Sequence, residues 1–239
     1  MIIDAKNLKH KEINDALRGR EKEYTLENCI GQRFIAAGMA DRSVTVKGTP
    51  GNALGAYLNG AKIVVNGNAQ DAVGDTMNGG EIVIHGNAGD TVGYAMRGGS
   101  IYIKGDAGYR AGIHMKAYKE KVPVMVIGGR AGSFLGEYQA GGVIVVLGLN
   151  ADGKGIVGNF PCTGMHGGKM FLRSDCKGIS FPKQVTARPA GRDDLAGLEP
   201  YISTFCKLFG VNKNEIINSP FTVVTPDSKN PYKQLYVAN

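Results

Sequence analysis

Short apolar triplets punctuate this chain at a fixed interval. Val44-Thr45-Val46, Ile63-Val64-Val65, Ile82-Val83-Ile84 and Ile101-Tyr102-Ile103 begin at positions 44, 63, 82 and 101, a constant step of nineteen. The phrase returns at Met125-Val126-Ile127, five positions later than that step would place it. It recurs at Ile144-Val145-Val146 and, after a seven-residue insertion, at Met170-Phe171-Leu172. The triplets are rich in β-branched residues, are bounded by Gly-Gly and Gly-Asn, and are too short for helices. Nineteen residues are also too few for a helical repeat or a propeller blade. The pattern predicts a mainly β chain: a right-handed parallel β-helix of about seven turns, each strand pairing with its counterpart one turn away. Strands lie about 4.8 Å apart in the pairing direction, so seven turns make a rod of roughly 33 Å.

Side chains alternate faces along a strand, so the first and third residues of each triplet should fill the coil. The middle residues are Thr45, Val64, Val83, Tyr102, Val126, Val145 and Phe171. This second column is largely apolar, and a strand apolar on both faces is normally covered on both. A helix over residues 194–209, through Leu195, Leu198, Ile202 and Phe205, is expected to cover part of it and to leave the rest for a partner. Leu58, Met77, Met96, Met115 and Met165 form a further column, read as a core ladder because thioethers fill irregular interiors. Gly67-Asn68, Gly86-Asn87 and Gly105-Asp106 recur where the chain must bend sharply.

The flanks should cap the coil, since terminal turns expose unpaired edges. Residues 1–30 read as a cap: a strand, a helix over 8–17 capped by Asn7, and a strand near 24–29. Residues 31–175 are the β-helix proper, and 176–239 a closing helix and tail. Arg192-Asp193-Asp194 starts that helix and Gly210 ends it. The tail, with Pro220, Pro226 and Pro231, reads as extended wrapping chain.

Composition sharpens the picture in two places. Gly accounts for 36 of 239 residues, about twice the usual share of roughly 7%, as frequent turning requires. The net charge of +7 invites a nucleic-acid reading, but the basic surplus is spread along the chain, whereas a phosphate-binding footprint is clustered. The one local cluster, Arg110, Lys116, Lys119, Lys121 and Arg130, reads as a solvated loop. Residues 116–123 interrupt the period with Lys116, Lys119 and Lys121, and long loops carry function more often than scaffold does. These three lysines, with Tyr102, Val126, Val145 and Phe171, are the candidate partner interface.

Chemistry is thin. Residues 153–158 spell G-x-G-x-x-G with Asp175 downstream, but Asn159-Phe160-Pro161 follows where a dinucleotide fingerprint must open a helix. No G-x-S-x-G elbow exists. His114, His166 and Cys162 could line a cleft, while His85 reads as a surface residue. Cys29, Cys162, Cys176 and Cys206 lack paired metal or redox spacing and read as reduced thiols of a cytoplasmic protein. No catalytic, cofactor-binding or metal-binding residue is assigned.

Residues 86–99, Gly-Asn-Ala-Gly-Asp-Thr-Val-Gly-Tyr-Ala-Met-Arg-Gly-Gly, and residues 136–143 resemble the GXGXG domain, the C-terminal β-helix of the glutamate synthase large subunit. The run from Asp194 to Ile202 and the run from Phe221 to Pro226 resemble the segment closing that domain. The resemblance spans roughly residues 25–225. It implies a stand-alone subunit of a split glutamate synthase, a scaffold holding a glutamine amidotransferase against an FMN and iron–sulfur synthase subunit, with both cofactors on those partners. The family's N-terminal cysteine nucleophile has no match, since position 2 is Ile2 and the first cysteine is Cys29. A related β-helix subunit of formylmethanofuran dehydrogenase is the alternative. A free-standing binding module would need an exposed aromatic row or a basic stripe, and the sequence shows neither.

Overall fold

The computed structural model describes residues 1–228, so Pro231 and the end of the tail lie outside the described residues. One sheet of eleven strands runs the length of the molecule in the order β1-β2-β3-β4-β5-β6-β7-β8-β9-β11-β10. The strands of the repeat are β3 (Ser43–Thr49), β4 (Asn59–Asn66), β5 (Gly79–Ile84), β6 (Ser100–Ile103), β7 (Val124–Ile127), β8 (Ala140–Val146) and β9 (Gly167–Leu172). Each is parallel to the next, and the triplets meet in register: Ile63 opposite Ile82, Ile82 opposite Ile101, Ile101 opposite Met125. The architecture is a parallel β-solenoid, and β2 (Glu23–Ile30) brings it to about eight turns. Tyr24 pairs with Val44 and Leu26 with Val46. The sequence hides this rung because its step to the next triplet is one longer than the repeat and no Gly follows it closely.

The first and third triplet residues are fully buried inside the coil, as are Leu58, Met77, Met96, Met115 and Met165. Gln139 takes the methionine's place in its turn, fully buried, its amide donating to the Gly141 and Gly142 carbonyls at 3.2 Å each. A corner ladder holds successive turns together outside the coil. The Asn68 side-chain oxygen accepts from Asn87 N and that of Asn87 from Asp106 N, both at 2.8 Å.

The wall after this corner is not a strand. Thr91, Gly93 and Ala95 have φ of 56°, 66° and 50°, and each neighbouring turn repeats the alternation, as in Arg110, Gly112 and His114. The alternation sends backbone N–H groups both ways along the stack. Thr91 N donates to Tyr109 O and Ala95 N to Ile113 O in the following turn, while Gly93 N donates to Val73 O in the preceding one. Non-glycine residues in this left-handed region cost roughly 1–2 kcal/mol each, a cost these inter-turn bonds offset. Ala36 holds the central position in the first turn, but from Gly55 to Gly136 it is Gly, and for a second reason. A Cβ on Gly74 would lie 2.6 Å from Ile101 Cδ1, in the interior of a later turn. In the last complete turn the equivalent residue is Cys162, beyond which the regular stack ends, and its thiol fills the interior instead, 3.6 Å from Met170 Sδ.

Both ends are closed by other elements. At the start, β1 (Ile2–Asp4) adds a short parallel strand to β2, and α1 (His10–Leu17) buries Ile13 and Leu17 in the core shared with Tyr24 and Leu26. Its cap is Lys9 rather than the expected Asn7; the Glu12 carboxylate accepts the Lys9 N–H at 2.7 Å and does the capping. At the far end the closing segment is more than wrapping chain. β11 (Thr222–Pro226) pairs antiparallel with β9, and β10 (Val185–Pro189) pairs antiparallel with β11. α2 (Arg192–Phe209) ends at Gly210, φ 68°, and the short α3 (Lys213–Ile217) follows.

Candidate functional site

Three outer surfaces of the solenoid could carry function. The first is the outward column of the strands. Tyr102, Val126, Val145 and Phe171 form a second core with Leu198, Ile202, Phe205 and Cys206 of α2, joined by Ile216, Phe221 and Val223. The expected covering helix is in place. The four residues proposed for a partner face are at most 4% exposed and pack within this chain. Burial raises the Tyr102 phenol above its ordinary pKa despite a hydrogen bond with Thr204 of the helix. Thr25, Thr45 and Val64, at the start of the column, stay half-buried.

α2 runs down the stack. At its first turn Asp194 pairs with Arg188 of β10 at 2.6 Å and accepts from Gly191 N at 3.0 Å. At its last turn Phe209 meets the ring of His85, just after β5, at 5.2 Å. The Arg188 hydrogen bond holds the Asp194 carboxyl below the usual carboxylate range. Arg173 anchors the chain just after α3, donating to Leu147 O and Ser219 Oγ, and burial lowers its pKa.

The second surface is the insertion. Residues 116–123 fold into a small loop closed by reciprocal Tyr118–Lys121 backbone hydrogen bonds of 3.0 Å. Lys116, Lys119 and Lys121 are exposed. Lys121 Nζ reaches back to Asn78 O at 3.2 Å, and Lys119 Nζ lies 5.5 Å over the Tyr118 ring. Arg110 and Arg130 do not belong to this cluster: Arg110 pairs with Glu137 at 3.0 Å, and Arg130 Nε donates to Gly155 O at 2.8 Å.

The third surface is the wall of alternating left-handed residues, and it carries the aromatic row that sequence reading did not find. Tyr94 meets His114 edge-on at 5.9 Å, and His114 stacks on Tyr138 at 5.1 Å with planes 10° apart. Beside them Arg110 covers the Phe134 ring at 4.8 Å, and Phe134 leans on Phe160 at 5.3 Å. Phe160 is 62% exposed and Tyr94 40%. No cover comparable to α2 lies over this end of the wall among the described residues; at the other end α1 reaches it, Asn14 Nδ2 donating to Phe34 O at 2.8 Å.

The remaining candidates resolve as scaffold. Cys162 is turned into the coil with its thiol pushed up to about 12 by burial, whereas His114 is exposed on the wall. His166 contacts the Gly164 carbonyl at 3.0 Å through Nδ1, so the three residues do not form a cleft. Burial also raises Cys29, to about 11, and Cys176 and Cys206. In the G-x-G-x-x-G stretch, Ile156 and Val157 are buried and Val157 forms a parallel bridge with Ala131, which makes it another turn of the coil. Among the described residues no group of three or more His, Cys, Asp or Glu could hold a metal. No helix among them is long and apolar enough to cross a membrane.

Comparison with known proteins agrees with this geometry. The family described as "GXGXG motif" matches residues 5–227. An uncharacterized protein of Methanocaldococcus jannaschii, MJ1350, is 44% identical over 250 residues, covering 99% of this chain and 96% of its own. Among solved structures, a chain of the formyltransferase/hydrolase complex (FhcABCD) from Methylorubrum extorquens, determined with methylofuran, shares the fold. Its TM-score is 0.67 at 20% identity, over 94% of this chain and 90% of that one.

Proposed function

This chain belongs to the GXGXG motif family, and from that premise we propose that it is a non-catalytic scaffold subunit of a split, glutamate synthase-type oxidoreductase. The observation that carries the reading is the family match across nearly the whole chain, on a solenoid whose residues are committed to rungs, corners and caps. A long rod with one face sealed and, among the described residues, much of another uncovered suits a subunit that spaces two larger ones. In this reading the partners are a glutamine amidotransferase and an FMN/iron–sulfur synthase in the cytoplasm, and the insertion lysines Lys116, Lys119 and Lys121 lie at one of the contacts. The cysteines here do not fit a cluster site, since burial raises the Cys162 and Cys176 thiols and no group of three or more His, Cys, Asp or Glu gathers among the described residues. In this reading the iron–sulfur cluster is carried by a partner.

Likeness to a chain of the FhcABCD complex favours a second reading, a β-helix subunit of a formylmethanofuran-type complex. Affinity purification of the tagged full chain from its native cells, with mass spectrometry of stoichiometric subunits, separates the two. Co-purification of amidotransferase and flavoprotein subunits, forming glutamate from glutamine and 2-oxoglutarate, is the expected result. Recovery of formyltransferase/hydrolase subunits would replace it. The chain alone should show no flavin absorbance and release no ammonia from glutamine.

A further inference from the structure

We infer that the aromatic wall around Tyr94, His114, Tyr138, Phe134 and Phe160, together with the adjoining 116–123 loop, is the docking face for a partner subunit whose contacting surface is rich in carboxylates. The inference rests on the scaffold reading and deepens it by saying where the partner sits and what it presents.

The two parts form one surface. His114 leads into the loop through Met115, and Ala117 packs against the Gly141 backbone, close in sequence to Tyr138. Exposed aromatic rings rimmed by charge are the composition of an interface rather than of a bare surface. Their exposure is costly to maintain, and no interior packing requires it: Phe160 and Tyr94 point away from a coil already filled by Leu135, Met96 and Met165.

The charges name the occupant. Arg97, Lys116, Lys119 and Lys121 lie along the rim, the three lysines exposed, and Glu120 is the single carboxylate of the loop. Glu137 is neutralised by Arg110. A second copy of this chain, itself at +7, would bring the same cations against one another, which disfavours a symmetric dimer through this face. Nucleic acid would satisfy the charge but not the rings. His114 and Tyr138 stack on each other and Arg110 covers Phe134, so those ring faces are already taken where bases need open ones. An acidic protein surface meets both conditions.

The test uses the native complex purified on the tagged full chain. Zero-length carbodiimide coupling, which joins lysine amines to carboxylates in contact, should link Lys116, Lys119 or Lys121 to Asp or Glu of a stoichiometric partner. Phe160→Asp and the triple change Lys116→Glu, Lys119→Glu, Lys121→Glu should each reduce partner recovered per chain at least tenfold, with thermal unfolding of the isolated chain unchanged. Lys47→Glu, in the exposed part of another wall, should keep the partner. A partner retained at full yield by both wall variants, with its cross-links elsewhere, overturns the docking face and leaves the scaffold reading standing. Cross-links between two copies of this chain, or retention lost to nuclease, overturn it in favour of self-association or nucleic acid. A chain that brings down no stoichiometric subunit at all defeats the scaffold reading itself.

Discussion

The strand face and the left-handed wall are built on the same rungs, yet they meet solvent in opposite ways. On the strand face Val126, Val145 and Phe171 project outward and α2 seals them from water. On the wall, outward residues of the same turns are His114 and Phe160, both exposed, and Tyr138, half-buried, with no covering helix among the described residues. The interior is equally packed behind both. A solenoid therefore fixes its inside by period, while what each outer face does is set by residues the period does not constrain.

Charging the sealed face should break the comparison most forcefully. Val145→Asp or Phe171→Asp buries an unpaired carboxylate under α2 and should cost about 4 kcal/mol, read as a lower denaturation midpoint with loss of helical signal. A change below about 1 kcal/mol would mean that α2 is held by something other than this column. Next in size, Gly93→Ala should cost about 2 kcal/mol, because its Cβ would be left-handed and 2.4 Å from Met125 Cε. Asn87→Ala removes the acceptor for Asp106 N and should lower stability by about 1 kcal/mol while leaving both faces intact.

Smaller again is an acid effect on the sealed face alone. The Asp194 carboxyl is depressed in the folded chain, chiefly by Arg188, so its contribution is complete above the ordinary carboxylate range and is lost as pH falls through the folded value. The start of α2 should loosen below about pH 4, seen as faster amide exchange there, and Asp194→Asn should abolish that dependence. The smallest change in stability belongs to the open wall: His114→Ala should shift unfolding by less than about 0.5 kcal/mol. A large loss would show that the ring row holds the coil together.

The strand face was legible because alternation inside each triplet, repeated at a constant step, marks both columns at once. The run Leu195, Leu198, Ile202, Phe205 marks the helix that covers one of them. The wall was not legible. Its residues alternate in backbone handedness, which no residue preference announces when Thr91, Arg110, Phe134 and Tyr138 all adopt positive φ. The insertions then move its columns out of step. Arg110 meets Phe134, and Phe134 meets Phe160, at separations that are longer than the repeat and unequal to each other. β11 escaped for a different reason: Thr222-Val223-Val224 has a strand's composition, but the prolines at 220 and 226 make so short a segment read as connecting chain. Lys116, Lys119 and Lys121 were visible as an interruption of the period, though the sequence could not show that the ring row adjoins them.

Laid from Arg188 of β10 to His85 beyond β5, α2 also measures the rod. Its 18 residues span about 27 Å at roughly 1.5 Å each. The six strand-to-strand steps between β5 and β10 in the sheet order come to roughly 29 Å. The helix thus acts as a caliper closed on a set number of rungs. A turn gained or lost beneath it would pull its anchors at Asp194 and Phe209 off their marks, whereas a turn gained before Val64 would escape the gauge. Lengthening over evolutionary time is therefore open at the amino-terminal end of the coil and barred under the helix.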